Sequence, residues 1–237
     1  MTVNVGALLD RFPGQKYQSA LHFAELSFRA PRPRAGTLGK LKRDGRDSLK
    51  VSLVAPRDAL LDDRGVMNVA NLAPGIEWVR AAANALEAVA VVLPTGRELT
   101  PGMRDRARLE AYVDALGRTS GRAIVWAPAG LWERETAEAF AKKIGVVLAF
   151  DPLEDDAPEG PVGYARLRAI GARSRISSGM LAGAAVKLLE GGFATSYLAI
   201  DSPTSFRDAK SFQALVAGAM REDEAGDDDD FEFDDEE

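Results

Sequence analysis

The chain has one histidine, His22, and no cysteine. Disulfides, thiolate metal sites and a cysteine nucleophile are therefore excluded, as are multi-histidine metal sites, and a Ser-His-Asp triad requires His22 as its base. His22 has no partner at ligand spacing, which suits a structural residue better than a catalytic one. What remains is carboxylate and guanidinium chemistry. Glu25 and Asp201 are candidate bases, and Arg166 and Arg168 are candidate holders of negative charge. If the protein is an enzyme, Glu25, Arg166 and Asp201 are the residues expected to carry the reaction. A second group lies in GARSRISSG (171–179), with Arg173 and Arg175 ahead of Ser177 and Ser178; Thr204, Ser205 and Arg207 follow in a later loop. Guanidinium groups beside the free N–H groups of a helix start suit a phosphate. The plain alternative is a serine cap flanked by solvated arginines. Glu25, Asp151 and Asp201 also offer oxygen ligands for Mg²⁺. Arg166 and Arg168 would already neutralise them, so no metal site is expected.

These residues can meet only if strands bring them together. Short β-rich runs alternate with helical patterns along the chain. Strands are expected at 2–6, 23–28, 48–55, 89–94, 122–127, 146–151, 162–170 and 194–202. Helices are expected at 37–45, 75–88, 102–117, 133–145, 177–192 and 205–220, while PLEDDAPEGP (152–161) reads as a loop without a helix. The βαβα order implies a parallel sheet. Eight such units in roughly 220 residues suit an α/β (β/α)8 barrel of the TIM type, close to the ~250 residues typical of that fold. A doubly wound open sheet is the alternative. No GxGxxG follows the first strand, so no dinucleotide cofactor is expected.

Strand side chains alternate between faces. In strand seven Ala165, Leu167 and Ala169 form the helix-facing set, which turns Tyr164, Arg166 and Arg168 inward. By the same parity Glu25 and Ser27 point inward from strand two, and Tyr197 and Asp201 from strand eight. Asp151 shares the parity of Val147 and Ala149. Glu25, Asp151, Arg166, Arg168 and Asp201 thus share the barrel interior or its upper rim, either as a self-neutralising network or as a polar site at the C-terminal face. Trp78, Trp126 and Trp132 read as core or rim packing.

The formal net charge of −6 conceals an asymmetry. All 30 Lys+Arg precede residue 222 together with 24 of the 36 Asp+Glu, so the body carries +6; twelve carboxylates give residues 222–237 a charge of −12. The expected organisation is a barrel over 1–220 and a disordered acidic tail over 221–237. Phe231 and Phe233 within the tail suggest a basic protein, or the barrel itself, as its partner. Arg29, Arg32, Arg34, Lys40, Lys42, Arg43, Arg46 and Arg57 form a basic stretch that could hold phosphates of a small molecule or of a nucleic-acid backbone, although no recognised nucleic-acid motif accompanies it. The start MTVNVGALLDRF lacks a signal-peptide pattern and no apolar run approaches ~20 residues, so no membrane contact and a cytoplasmic location are expected.

Four blocks, in order, resemble the YecE-like family (domain of unknown function 72), whose members are (β/α)8 barrels. AELSFRAPRPRAGTLGKL matches its second-strand block through Glu25, Phe28 and Pro31. VAVVLP resembles the block ending Gln-x-Pro. LWERETAEAFAKKIGVVLAFD resembles the Ser-Trp block with its helix and strand-Asp, through Trp132 and Asp151. YARLRA and YLAID resemble the Arg-x-His-Gly block and the last strand, through Arg166. Polar positions of the family are exchanged: Val54 stands for its Lys, Val92 for its Gln, Trp126 and Pro128 for the Glu and Arg of strand five, and Arg168-Ala169 for His-Gly. The resemblance implies a degenerate member, a pseudoenzyme that keeps the barrel and an anion-binding basic rim while losing most of the pocket. An enzyme acting on a phosphorylated small molecule or sugar, and a nucleic-acid binder regulated by its tail, are the two rival expectations.

Overall fold

The computed structural model describes residues 1–169 and 175–226. All eight anticipated strands are present: β1 (Thr2–Leu9), β2 (Phe23–Leu26), β3 (Lys50–Val54), β4 (Ala90–Thr95), β5 (Ala123–Pro128), β6 (Val147–Phe150), β7 (Val162–Arg168) and β8 (Thr195–Asp201). They pair in parallel in sequence order, and β8 returns to β1 to close the barrel. Between them run α1 (Gln15–Gln18), α2 (Ala35–Asp44), α3 (Arg57–Leu60), α4 (Val69–Ala85), α5 (Met103–Leu116), α6 (Arg134–Lys143), α7 (Ser178–Glu190) and α8 (Ser205–Gly226). As expected, the connection from β6 to β7 contains no helix.

The strand parity explains closure. Ala165, Leu167, Leu198 and Ile200 are buried with Leu181, Ala184, Leu188, Ala209, Phe212 and Val216 of the covering helices in one outer core. The alternate residues form a second, inner cluster that includes Phe23, Val54, Val92, Val125, Tyr164 and Tyr197. At about 25 cal/mol per Å² of buried apolar surface, the outer layer is the main driving force for assembling helices on the barrel.

The short helices α1 and α3 lie outside the expected set and most element ends shift by a residue or two; three larger differences stand out. Helix α4 begins at Val69 rather than residue 75 and carries Pro74 inside it. The Pro-Gly pair reads as a breaker, yet a Cβ on Gly75 would lie 2.7 Å from the Cα of Ala59, so this glycine lets α4 approach α3 closely. The Asn68 side chain accepts the amide of Ala70 and supplies the N-cap. Strand β1 runs on to Leu9, tied to β2 by Tyr17: the amide of Ala7 donates to the Tyr17 hydroxyl (2.8 Å), which donates to the carbonyl of Phe23 (2.6 Å). Gly6 makes room there, since a Cβ would fall 2.0 Å from the Phe23 oxygen. Finally, α8 continues to Gly226, past the expected boundary at 220/221. Residues 227–237 of the acidic tail lie outside the described residues.

Candidate functional site

Register sets up the interior polar cluster before any side chain is considered. Glu25 stands opposite Ser52 across the β2–β3 ladder, and Tyr164 opposite Tyr197 across β7–β8. Because β3 and β7 lie on opposite sides of an eight-strand barrel, inward residues of β7 reach β3 across the axis. The Tyr164 and Ser52 hydroxyls share a 2.6 Å hydrogen bond, and the Tyr164 hydroxyl donates to Glu25 Oε1 at 2.8 Å. Arg166, two residues above Tyr164 on the same face, donates to Glu25 Oε2 through Nη2 at 2.8 Å and Nε at 3.2 Å. The Glu25 side chain is 1% exposed and that of Arg166 13% exposed.

The electrostatics follow from this enclosure. Burial, and then the charge of Glu25, push the Tyr164 phenol well above its ordinary value, so it is a proton donor at neutral pH. Burial alone would weaken the Arg166 guanidinium, but the charge of Glu25 and the hydrogen bonds to it hold its pKa above the usual value. Both Glu25 oxygens are engaged. The carboxylate therefore links β2 to β7 across the barrel interior.

The other sequence-selected residues are spread over the rim. Arg168 and Asp201 are register partners and lie 3.4 Å apart, both about half exposed. Asp151 accepts the amide of Leu153 at the turn after β6. Arg173 lies outside the described residues; Arg175 is exposed. Ser177 is the N-cap of α7 and accepts the amide of Met180, with Ser178 exposed as the first residue of the helix. Arg207 is exposed, with Nε 3.6 Å from Asp208 Oδ1. The hydroxyls of Ser202 and Thr204 both donate to Asp208 Oδ2, at 2.6 and 2.8 Å, so that loop closes on itself. Among the described residues no three His, Asp or Glu side chains gather where a metal ion could be held. Glu25, Asp151 and Asp201 do not converge.

The basic stretch is not one surface. Arg29, Arg32 and Arg34 belong to the loop after β2 and Arg57 opens α3 after β3, whereas Lys42, Arg43 and Arg46 lie at the far end of α2. Arg32 is paired with Asp58 at 2.9 Å and stacks 4.9 Å above Trp78; Arg57 is paired with Glu98 at 2.8 Å. His22 is exposed just before β2. Trp126 is fully buried but faces the helices rather than the interior, edge-on to Trp132 and Phe140. The inward residues of β5 are Ala123, Val125 and Ala127. Reading Trp126 and Pro128 as pocket positions is thus corrected by one residue of parity: aligning short motifs by spacing put them on the wrong face. Sequence reasoning also gave Ser52 no role and saw Tyr164 only as inward-facing. The signal for Ser52 was a lone hydroxyl between Val51 and Leu53, two residues of the outer core.

Comparison with known proteins bears on this fold. No family model and no curated protein matches the chain. Among solved structures it is similar to a DUF72 family protein from Enterococcus faecalis V583, with a TM-score of 0.68 and 9% identity over 91% of this chain and 96% of that one. It is similar also to a DUF72 family protein from Thermotoga maritima MSB8 (TM-score 0.66, 11% identity, 92% and 100% covered). An L-ribulose 3-epimerase matches with a TM-score of 0.65 and 16% identity over 98% and 100% of the two chains. At these identities what is shared is the fold. The chain is a structural neighbour of the DUF72 proteins that its sequence blocks resemble.

Proposed function

We propose that this protein is a non-catalytic (β/α)8 barrel of DUF72 descent that binds an anionic group at the C-terminal rim, with Arg168, Arg175, Ser177 and Ser178 as the contacting residues. The observation that carries this reading is the state of Glu25. Its two oxygens accept from Tyr164 and, twice, from Arg166, so three of its roughly four lone-pair positions are taken by the chain's own groups. The positions around it at the same end of the barrel, Val54, Val92, Val125 and Ala149, carry no acid, base or donor. Charge that is less enclosed is found at the rim, on Arg168 and Arg175.

Thermal unfolding in the presence of inorganic phosphate and phosphorylated sugars tests both parts. A ligand that binds only the folded chain stabilises it by about 2.7 kcal/mol at a hundred times its Kd. A rise in midpoint with phosphate compounds is expected, and it should vanish in the Arg168→Ala/Arg175→Ala double variant. A flat response across the panel overturns the anion site. Turnover of a phosphorylated or glycosidic substrate, abolished by the isosteric change Glu25→Gln, overturns the non-catalytic reading.

A further inference from the structure

Among the described residues, the connection between β6 and β7 is the one that carries no helix. A groove of about 1020 Å³ runs beside it along the outside of β5 and β6. Ile124 and Leu148 form its floor. Ala139 and Lys142 of α6 make one wall, and Pro158 and Pro161 of the connecting loop make the other. Its lower rim carries Arg118 and Arg122. Both guanidiniums are held by neutral acceptors. Arg118 donates to the carbonyls of Ile144 and Gly145, and Arg122 to those of Ala83 and Ala88 and to Asn84 Oδ1. Among the described residues neither has a carboxylate within ion-pair distance. Burial lowers the pKa of Arg122, as expected of a partly desolvated cation without a counter-charge.

We infer that this groove is the docking site of the chain's own acidic C-terminal segment, with Phe231 and Phe233 inserted over Ile124 and Leu148 and the flanking carboxylates facing Arg118 and Arg122. Three observations converge on that occupant. The first is where the described chain ends. Helix α8 starts at the C-terminal end of β8 and runs back outside the barrel, so Gly226 lies at the end where the strands begin, as do Arg118, Arg122 and Gly145. The second is reach. Only α7 separates α8 from the groove, and two interhelical spacings of 8–10 Å total roughly 16–20 Å. An extended chain covers about 3.4 Å per residue, which carries Phe231 about 17 Å and Phe233 about 24 Å beyond Gly226. The third is chemistry. Residues 227–237, DDDDFEFDDEE, place two aromatic rings two residues apart, hence on one side of an extended segment, within a run of carboxylates. The apolar floor suits the rings; of the carboxylates that also line the groove, Glu138 and Glu159 are already paired with Arg134 and Lys142, which leaves Arg118 and Arg122 against Glu135.

The absence of cysteine makes the test clean. Asp234→Cys leaves both phenylalanines in place and is paired, in the full-length chain, with either Ala139→Cys in the groove or Asp47→Cys near the far end of α2. The second position is two helix positions from α8 in the opposite direction and sits beside the basic residues Arg43 and Arg46, the rival surface for an acidic segment. Under mild oxidation the 139–234 disulfide should form within one chain at least tenfold faster than the 47–234 disulfide. That preference should disappear on adding Phe231→Ser and Phe233→Ser, and shrink as salt is raised. Equal rates at the two positions, faster bonding at position 47, or bonding only between chains would overturn the inference. Since the groove lies outside β5 and β6 and shares no residue with the rim site after β7, failure here leaves the anion-binding test untouched.

Discussion

The two sides of the barrel interior are built on different physics. From β7 round to β2, inward positions hold Tyr164, Arg166, Tyr197 and Glu25, and a hydrogen-bonded chain of four groups crosses to Ser52 on β3. From β4 to β6 the inward positions are Ala90, Val92, Ala123, Val125, Ala127, Val147 and Ala149, with no polar side chain among them. Small aliphatic residues on one side leave the space that the long side chains on the other side fill. The polar side is directional and depends on every member being satisfied, because a buried carboxylate or guanidinium without its partner costs several kcal/mol. The apolar side tolerates no new polar atom, but has no geometry to lose. The Glu25–Arg166 pair stands where the two sides meet and joins β2 to β7 across the interior.

Breaking the polar side should have the largest effect. Arg166→Ala leaves Glu25 buried and unpaired and should cost about 3–5 kcal/mol in chemical denaturation. Converting both partners sharpens the comparison: Glu25→Leu with Arg166→Met should recover most of that loss, because the desolvation cost goes with the charges. If the double change is as damaging as the single one, the pair does more than neutralise itself.

On the apolar side, Val92→Gln places an amide among Val54, Val125 and Ala149. The expected cost is about 1–3 kcal/mol for the unpaired amide, with an overpacking cost on top. A neutral result in denaturation would show that the interior is open to water at this level.

Tyr164→Phe removes the link between the two sides and should cost about 1–3 kcal/mol, since Glu25 Oε1 and Ser52 lose their partner. It also has a pH signature. The phenol is held above its ordinary value of 10.0 in the folded chain, so above that pH the unfolded state loses a proton that the native state keeps. The stability from this group is complete below about pH 10 and declines as pH rises further. Stability measured from pH 9 to 11 should fall less steeply in the variant than in the parent. Tyr17 and Tyr112, also raised by burial, keep some slope in both.

The smallest effect belongs to the rim. Arg168 and Asp201 are about half exposed and 3.4 Å apart, so Arg168→Ala should change stability by no more than about 1 kcal/mol. A larger loss in the same denaturation assay would place this pair with the buried network instead.

Much of this arrangement was legible residue by residue. The inward parity of Glu25, Tyr164, Arg166 and Tyr197 followed from the alternation of Ala24 with Leu26, Ala165 with Leu167, and Leu198 with Ile200, because a strand has only two faces and the apolar set declares the helix side. The same rule applied within β5 would have turned Trp126 outward. It was misplaced because its position was taken from motif spacing, and a slip of one residue reverses every face. The helical turn before Gly75 was hidden for another reason: Pro74-Gly75 has the local composition of a turn, and only the close contact with Ala59 shows why a glycine stands there.

The sequence by itself determined the alternation of strand and helix, the missing helix between β6 and β7, which residues face inward, and the separation of charge between body and tail. All of these are local properties, set by side-chain periodicity and composition. Partnership was decided by the tertiary structure. Whether Glu25 would meet Arg166, Asp151 or Asp201, whether Ser52 would join Tyr164, and which groove would be left uncovered depend on register and on closure of β8 against β1. Those set distances across the axis between residues more than a hundred positions apart, which no local pattern encodes.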